Sequence, residues 1–284
     1  MALRFYETTE HAKLYQAYRP NYENAGIEDA YATYLSKYFQ QAPFGTAVDV
    51  GCGTGQGTRI LTSHFQKVIG LDISDAMLRE AEIATNSTNV EYRNSRAEDM
   101  QFLADESVDL INVASAMHWL DAPIFLKEVN RVLRPGGCCA YIGPKSSKCR
   151  DLKLDDDVGK EDVSRRICNL FHEFCGECFG EFNQVFSNLD EDYPTHPGYT
   201  DVTKFDTKSV TVGDLNHILG LMSSLGSYQK IRNRPEKAGM LERYQKMYQD
   251  ALRTVSSAPA SVKIQVIFPM VVTLSRKPYH FKSL

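Results

Sequence analysis

The chain of 284 residues is long for one compact domain and short for two independent ones, and 43% of its residues are hydrophobic against 24% charged. This composition is sufficient for a packed core. The formal net charge of −4 disfavours a nucleic-acid-binding protein, which needs a basic surface to neutralise phosphates. Nowhere does an apolar run approach the roughly 18 residues of a membrane span, and residues 1–10 lack the apolar stretch of a secretory signal. Seven cysteines, an odd number without a small disulfide framework, predict reduced thiols in a cytoplasmic protein.

The N-terminal region, residues 1–43, combines a tyrosine-rich segment with an amphipathic helix. Leu14–Tyr22 places tyrosines and an arginine beside Pro20. Apolar residues then recur at helical spacing from Ile27 to Phe39, which predicts a helix that packs against the core. Packing is an equally good interpretation of the tyrosines in the preceding segment.

A glycine cluster between two short strands is the most informative feature of the sequence. An apolar strand runs into the glycines within Val48–Thr58, and a second strand, Val68–Asp72, ends on an acid 21 positions after Gly51. Glycine lets the backbone turn tightly and lie close to a ligand. The arrangement is typical of a nucleotide pocket at the carboxyl edge of a parallel sheet. An ionised Asp72 can accept hydrogen bonds there from both hydroxyls of a ribose.

The spacing of the glycines separates two nucleotide ligands. A dinucleotide fingerprint requires Gly or Ala at its sixth position, and counting from Gly51 this position is Gln56. The observed pattern, Asp49 followed by glycines at 51, 53 and 55, resembles motif I of the class I S-adenosylmethionine (SAM)-dependent methyltransferases. In that family the glycine turn faces the amino-acid end of the cofactor, and no pyrophosphate is bound. The alternative is a generic Rossmann-like turn that holds another nucleotide.

Residues 44–144 alternate between strand and helix patterns. The predicted elements after the second strand are a helix capped by Ser74, a strand at Val90–Tyr92, a strand at Val108–Val113, a helix from Asp121 to Leu133 stopped by Arg134–Gly137, and a strand at Cys138–Ile142. This alternation predicts a doubly wound parallel sheet with right-handed crossovers, the SAM-binding core of the resemblance.

The resemblance also implies a set of cofactor contacts. In the family, an Ala-Glu-Asp segment supplies a backbone N–H and a carboxylate to the adenine ring, and here Ala97 is followed by Glu98 and Asp99. Those three residues could also form a solvated turn. The cofactor-binding residues implied by the resemblance are Asp49, Gly51, Cys52, Gly53, Gly55, Asp72, Ile73, Met77, Ala97, Glu98, Ala114 and Tyr15.

Residues that select the methyl acceptor are expected at the carboxyl ends of the strands. His118 and Trp119 follow the strand that ends at Val113, and this pair resembles one in carboxyl methyltransferases such as the trans-aconitate and juvenile-hormone-acid enzymes. There the indole N–H helps to hold the substrate carboxylate. Packing of Trp119 and a structural role for His118 are the alternatives.

The tyrosine-rich N-terminal segment is similar to the lid of the trans-aconitate enzymes. By that resemblance, Tyr15 and Tyr18 cover the sulfonium, whose charge an aromatic face attracts, and Arg19 grips a carboxylate. The catalytic residues predicted from the sequence are therefore His118, Trp119 and Arg19.

Residues 145–261 are interpreted as a helical cap that forms the substrate region. The predicted parts are a mobile polar stretch at Lys145–Gly159, helices within 161–188, a strand at Val202–Phe205, a cap helix at Thr211–Leu225, and, beyond the cap, a final strand within 262–276. The last strand is expected to run antiparallel, with Pro269 at a bulge. The chain is thus predicted to be a single methyltransferase domain of the α/β class, with a Rossmann-like seven-stranded sheet, mostly parallel, and a helical cap.

A cysteine-rich stripe raises the question of zinc. Cys168, His172, Cys175 and Cys178 have the residue types of a zinc site, but four ligands spaced along one straight helix splay apart. Aromatic neighbours such as Phe171 favour packing, in which cysteine behaves as a small hydrophobe. We therefore predict no metal site.

The function predicted from the sequence is methyl transfer from SAM to a small molecule, most simply O-methylation of a carboxylic acid. A carboxylate is ionised near neutral pH and needs no general base, whereas a phenol, amine or thiol acceptor would require one, with His118 as the candidate. Two alternatives stay open: N- or C-methylation of another metabolite, and a SAM-binding regulatory protein without turnover. The expected partners are a small-molecule acceptor, neither nucleic acid nor membrane, and at most a second copy of the chain as monomer or homodimer.

Overall fold

The computed structural model describes residues 5–23, 25–39, 43–145, 151–180 and 196–279. The chain divides into two compact units, each built from three segments of sequence. Unit 1 comprises Met1–Pro20, Lys148–Asn188 and Ser209–Phe268, and unit 2 comprises Asn21–Ser147, Leu189–Lys208 and Pro269–Leu284.

Unit 2 is built on a parallel sheet. Its strands are β1 (Phe44–Val50), β2 (Phe65–Asp72), β3 (Val90–Asn94), β4 (Val108–Ala114) and β5 (Leu133–Pro144). They lie in the order β3-β2-β1-β4-β5 with parallel pairing throughout. The order reverses at β1 and β4, so the carboxyl ends of these two central strands form the switch point where α/β sheets bind ligands.

The helices of unit 2 follow the strands as the sequence predicts. They are α2 (Ile27–Leu35), α3 (Gln56–Arg59), α4 (Asp75–Ala84) and α5 (Ala122–Val132). The Ser74 hydroxyl accepts a hydrogen bond from the Met77 N–H and caps α4, and the Asp121 carboxylate accepts from the Ile124 N–H and caps α5. Phe125, Val129 and Val132 of α5 are fully buried.

Two predicted helices end earlier in the structure than in the sequence interpretation. The first, α2, ends at Leu35, and the rings of Tyr38 and Phe39 pack from the turn that follows, on Tyr34 and Phe44 respectively. The helical periodicity therefore continued beyond the helix because these half-buried aromatic side chains pack on the same core from the residues that follow it.

The second helix, α5, ends before the Arg134–Gly137 segment that was expected to stop it. Leu133 already belongs to β5, and the pairing of β5 with β4 shifts register between Val108 and Leu110. An ion pair between Arg134 and Asp109 spans this irregularity, with Nε and Oδ1 2.5 Å apart.

Unit 1 is mainly helical. Its elements are α1 (Thr9–Tyr18), β6 (Asp151–Leu154), α6 (Glu161–Phe179), α7 (Leu215–Ser223), α8 (Gly226–Ile231) and α9 (Met240–Leu252). Short 3₁₀ turns occur at Pro235–Lys237 and Pro259–Ser261. The predicted helices within 161–188 correspond to α6, and residues 181–188 of that prediction lie outside the described residues.

The C-terminal half of the chain differs from the prediction in two places. The stretch expected to be polar and mobile contains β6, whose Leu152 and Leu154 are buried. The expected cap helix starts later, because β7 (Thr200–Gly213) extends through Thr211 and the Asp214 carboxylate caps α7 by accepting from the N–H groups of residues 216 and 217. Two non-helical residues, Ser224 and Leu225, then separate α7 from α8.

The final strand, β8 (Ile264–Arg276), contributes to both units. Residues 264–267 pair antiparallel with β6, and residues 270–276 pair antiparallel with β5. Pro269, which has no N–H to donate, lies between the two pairing segments. The α/β fold with an antiparallel last strand is thereby confirmed, and the sheet has eight strands rather than seven because β6 and β7 both pair with β8.

Across the described ranges, none of the helices combines the length and the apolar character needed to cross a bilayer.

Candidate functional site

The loop after β1 has the backbone conformation that its glycines predict. Gly51, Gly53 and Gly55 adopt φ values of 63°, 56° and 84°, in the left-handed region that side chains disfavour. A Cβ on Gly51 would lie 2.6 Å from the Cβ of Ala116, and one on Gly55 would collide with the hydroxyl of Tyr92. The loop is therefore a cradle that only a bare backbone can form.

Asp72 is fixed at the end of β2 by backbone amides. One carboxylate oxygen accepts from the Gly53 N–H and the other from the Ser74 N–H, each at 2.9 Å. Each oxygen retains acceptor capacity beyond one hydrogen bond. The glycine loop thus orients the carboxylate that the sequence assigns to the ribose.

A buried polar network lies beneath the loop. Asp49 is fully buried, and its carboxylate accepts hydrogen bonds from the Thr58 hydroxyl and from the Asn112 side-chain N–H, both at 2.7 Å. The Tyr31 hydroxyl in turn donates to the side-chain oxygen of Asn112, Oδ1, at 2.5 Å. Burial raises the pKa of the Asp49 carboxyl to about 7, against the opposing effect of the Thr58 and Asn112 hydrogen bonds. The sequence interpretation missed Tyr31, Thr58 and Asn112, although Asn112 is a polar residue inside an apolar strand and could have signalled the network.

The other residues predicted to bind the cofactor differ in exposure. Cys52, Met77 and Ala97 are buried, whereas the Ile73 side chain is 45% exposed beside Asp72. An exposed apolar side chain at the end of β2 suits contact with a flat aromatic ring.

Glu98, also predicted to contact adenine, is tied to the start of α5. Its Oε1 accepts from the Asp121 N–H at 2.9 Å, and Oε2 lies 3.5 Å from the Arg96 guanidinium. The carboxylate keeps acceptor capacity for a ligand, and its position is set by these two contacts.

The segment after β4 carries His118 and Trp119 next to the glycine loop. Ala114 ends β4, Ser115 adopts φ 52°, and Met117–Trp119 forms a 3₁₀ turn. A positive φ on a residue other than glycine is strained and occurs disproportionately at functional sites. The ring centroids of His118 and Trp119 are 4.7 Å apart, and Trp119 also packs on the apolar core of unit 2.

Tyr22 supports this segment and was not singled out by the sequence interpretation. Its hydroxyl lies 3.2 Å from the hydroxyl of Ser115. No local sequence pattern predicts this contact, because the two residues are 93 positions apart.

Tyr15 and Arg19 lie on and just after α1 in unit 1. The Arg19 guanidinium carbon is 5.0 Å from the centroid of the Tyr15 ring, and Arg19 Nη2 donates to the Ser224 carbonyl at 3.4 Å. His11 Nε2 lies 3.0 Å from the same carbonyl, and burial lowers the pKa of His11 to about 4. Tyr18, the other predicted lid residue, packs edge-on against His217, with ring centroids 5.6 Å apart.

The arrangement in unit 2 fits SAM. The glycines of the cradle have positive φ and leave no room for a Cβ at Gly51 or Gly55, the oriented Asp72 carboxylate is an acceptor for ribose hydroxyls, and no pyrophosphate-binding glycine follows at Gln56.

Comparisons with known proteins agree with this assignment. Residues 48–141 match the family described as "Methyltransferase domain". A Dictyostelium discoideum protein named "Putative methyltransferase" is 28% identical over 268 residues, which is 94% of this chain and 93% of that protein. The trans-aconitate 2-methyltransferase of Deinococcus radiodurans is 38% identical over 113 residues, 39% of this chain and 42% of that enzyme. Other curated relatives are likewise matched over only 36–45% of their own length.

Among solved structures, a "Putative Type II Methyltransferase" from Anaeromyxobacter dehalogenans has the same fold. The TM-score is 0.62 at 24% identity, with 92% of this chain and 99% of that chain covered. The family match includes the glycine cradle, Asp72 and the His118–Trp119 segment. Residues 48–141 of this chain therefore carry a methyltransferase domain, similar to that of the SAM-dependent methyltransferases.

Proposed function

We propose that this enzyme methylates an oxygen of a small-molecule carboxylic acid. One observation carries the proposal: the glycine cradle and the His118–Trp119 segment are immediate neighbours in unit 2, since the Cα of Gly51 has no room for a Cβ against Ala116. An acceptor held by this segment would therefore lie beside the cofactor loop.

The residues of the segment suit a carboxylate acceptor. The Trp119 indole N–H is a donor without acceptor capacity, which favours an anionic oxygen over a protonated amine. Its ring is anchored on the core, and the Ser115 turn behind it is held by Tyr22. A donor fixed in this way orients the acceptor at little entropic cost.

The chemistry requires alignment more than acid–base catalysis. SAM, when bound, supplies a methyl group on a sulfonium; the acceptor oxygen forms the new C–O bond as the C–S bond breaks and its electron pair stays on sulfur. A carboxylate is already ionised at neutral pH, because its pKa is about 4, so no residue of the chain has to remove a proton. The tasks left to the chain are to orient the acceptor and to exclude water.

Two residues of unit 1, Tyr15 and Arg19, have side chains whose chemistry suits a cation and a carboxylate. Arg19 can bind a carboxylate through two parallel N–H groups, and the ring of Tyr15 offers a face to a cation. The assignments of Arg19 to a carboxylate and of Tyr15 to the sulfonium remain predictions from the sequence. The relative from D. radiodurans is named for trans-aconitate, which is a polycarboxylate, and this supports an acid as the acceptor class.

The decisive experiment identifies the bond that is formed. The full chain is incubated with methyl-labelled SAM and a panel of di- and tricarboxylic acids, amines and phenols, and the products are treated with mild alkali. Methyl esters hydrolyse under these conditions, so the proposal expects label released as volatile methanol from acid acceptors only. Label that survives alkali on an amine or phenol would overturn it and make His118 the candidate base.

A control separates the absence of the right acid from the absence of turnover. SAM binding is measured by calorimetry on the same preparation, and the panel is extended with a small-molecule extract. Binding of SAM without labelled product from the panel or the extract would favour a regulatory SAM-binding protein over an enzyme acting on acids.

A further inference from the structure

Unit 1 contains a group of potential metal ligands that the methyl-transfer chemistry does not use. Asp151 is the first residue of β6, and Cys168 and His172 lie on α6. One ligand atom from each of them lies within 4.8 Å of the other two. In the described part of the chain, this is the one cluster of three such side chains.

The local structure brings the three side chains close to one another. Cys168 and His172 are separated by four positions and therefore project from the same face of α6, one turn apart. The adjacent, apolar face of α6 is buried through Ile167 and Phe174, so the pair lies at the half-buried flank of the helix.

The strand that carries Asp151 is bound to the same helix. In β6 the side chains of Leu152 and Leu154 are buried, and Asp151 is exposed. The Leu154 N–H donates to the Ser164 hydroxyl at 2.9 Å, which joins β6 to the first turns of α6. A carboxylate is thereby positioned over the cysteine–histidine pair.

We propose that Asp151, Cys168 and His172 bind a zinc ion, with a water molecule as the fourth ligand. A thiolate, an imidazole and a carboxylate are all zinc ligands, and tetrahedral geometry is the preferred arrangement. Zinc–ligand distances of about 2.0–2.3 Å place neighbouring ligand atoms about 3.3–3.7 Å apart. Rotation of half-exposed side chains closes the remaining gap from the observed spacing. The two negative charges of the thiolate and the carboxylate balance the ion.

The proposed site differs from the cysteine-rich stripe considered in the sequence. Cys178 is fully buried in the apolar face of α6, and neither it nor Cys175 belongs to the cluster. The sequence could not reveal the third ligand, because Asp151 comes from a strand 17 positions before Cys168. None of the three ligands is among the residues assigned to the cofactor or the acceptor.

Zinc binding should release a proton from the thiol. Burial raises the pKa of Cys168, so the side chain is a neutral thiol at pH 7 until the metal displaces the proton. Metal would also bind the folded state and not the separated elements, and would stabilise the β6–α6 pair.

Calorimetric titration of the chelator-treated full chain with Zn²⁺ tests the proposal. We expect one tight site per chain, with proton release seen as a dependence of the heat on the ionisation enthalpy of the buffer. Co²⁺ used as a probe should give sulfur-to-cobalt charge-transfer absorption and the visible spectrum of tetrahedral coordination. Octahedral cobalt without a thiolate band would overturn the proposal.

Variants identify the ligands. Cys168→Ser, His172→Ala and Asp151→Asn should each lower zinc affinity at least tenfold and leave SAM binding unchanged. Cys175→Ser, on the same helix, is the matched control and should bind zinc like the parent chain. Loss of binding in Cys175→Ser with retention in His172→Ala would overturn the assignment. Far-ultraviolet circular dichroism without metal verifies that each variant is folded.

Discussion

The glycine cradle of unit 2 and the predicted acceptor residue Arg19 of unit 1 are each held in place by contacts, but over different sequence distances. In unit 2, the contact between Gly53 and Asp72 joins residues 19 positions apart, and the cradle depends on backbone geometry. In unit 1, Arg19 is held by the carbonyl of Ser224, 205 positions away.

This difference teaches where substrate specificity can change. A cradle made of backbone tolerates few substitutions, because all three of its glycines have positive φ and a Cβ at Gly51 or Gly55 would collide with Ala116 or Tyr92. Side chains such as Arg19, which are held by distant segments, can be replaced without altering the cradle. The four predictions below run, in order of decreasing effect, from the backbone of the cradle to the single side chain of Trp119.

The largest effect is expected from Gly51→Ala. The substitution combines a positive φ with a Cβ 2.6 Å from that of Ala116, so it should cost about 2–5 kcal/mol of stability and weaken SAM binding at least tenfold. Gly159→Ala is the matched control, because Gly159 has φ 71° with open space around it and should cost only about 1–2 kcal/mol. Equal losses in urea unfolding would show that the close approach to Ala116 is unimportant.

A somewhat smaller change in the free energy of unfolding is expected with pH, because Asp49 binds its proton more tightly in the folded state. Its pKa of about 7 in the folded state exceeds the ordinary value of 3.8, so the folded protein retains a proton that the unfolded chain loses. This stabilisation is complete below about pH 4 and disappears as the pH rises through 7.

Asp49→Asn should remove that dependence, since the amide has no proton to lose in this range. Relative to the variant, the parent chain should lose about 2–4 kcal/mol of stability between pH 4 and 8, measured by urea unfolding at each pH. Parallel profiles for the two proteins would contradict a raised pKa at Asp49.

Asp72→Ala should weaken SAM binding by about 1–3 kcal/mol, the usual range for a hydrogen bond to a charged group. Asp75→Ala is the matched control: this neighbouring acid is exposed and accepts from Asn94 instead of from the loop. Calorimetry should find SAM affinity unchanged in the control. An equal loss in both variants would indicate a general charge effect and not the proposed ribose contact.

Trp119→Phe should have the smallest effect on binding energy and the most selective one. Phenylalanine keeps an aromatic ring on the core but loses the N–H, so kcat/KM for the acceptor should fall about tenfold, or about 1.4 kcal/mol, while the Kd of SAM stays within twofold. Comparable losses in acceptor turnover and SAM affinity would mean that the ring acts by packing alone.

The fold could be predicted from the sequence where local patterns determine structure. The strand–glycine–strand pattern, the Ser74 and Asp121 caps and the antiparallel last strand are all present as expected. These features depend on residues a few positions apart, or on a period that one segment shows by itself.

The parts that could not be predicted arise from distant contacts. The strand at Asp151–Leu154 looked polar because only its alternate residues are buried, and it is completed by pairing with β8. The network beneath the glycine loop joins Tyr31, Asp49 and Asn112 from three elements. Tyr38 and Phe39 extended the helical pattern past the end of α2 because their half-buried rings pack on Tyr34 and Phe44.

The division of β8 between the two units bears on how the protein is made. Each unit consists of three separate segments of sequence, and both include part of Ile264–Arg276. Synthesis proceeds from the N-terminus at about 5–20 residues per second. Both β5 and β6 lack their shared pairing partner, β8, until that strand has been synthesised. Neither unit can finish folding on the ribosome before this strand emerges, so the last steps of assembly in the two units should coincide in time.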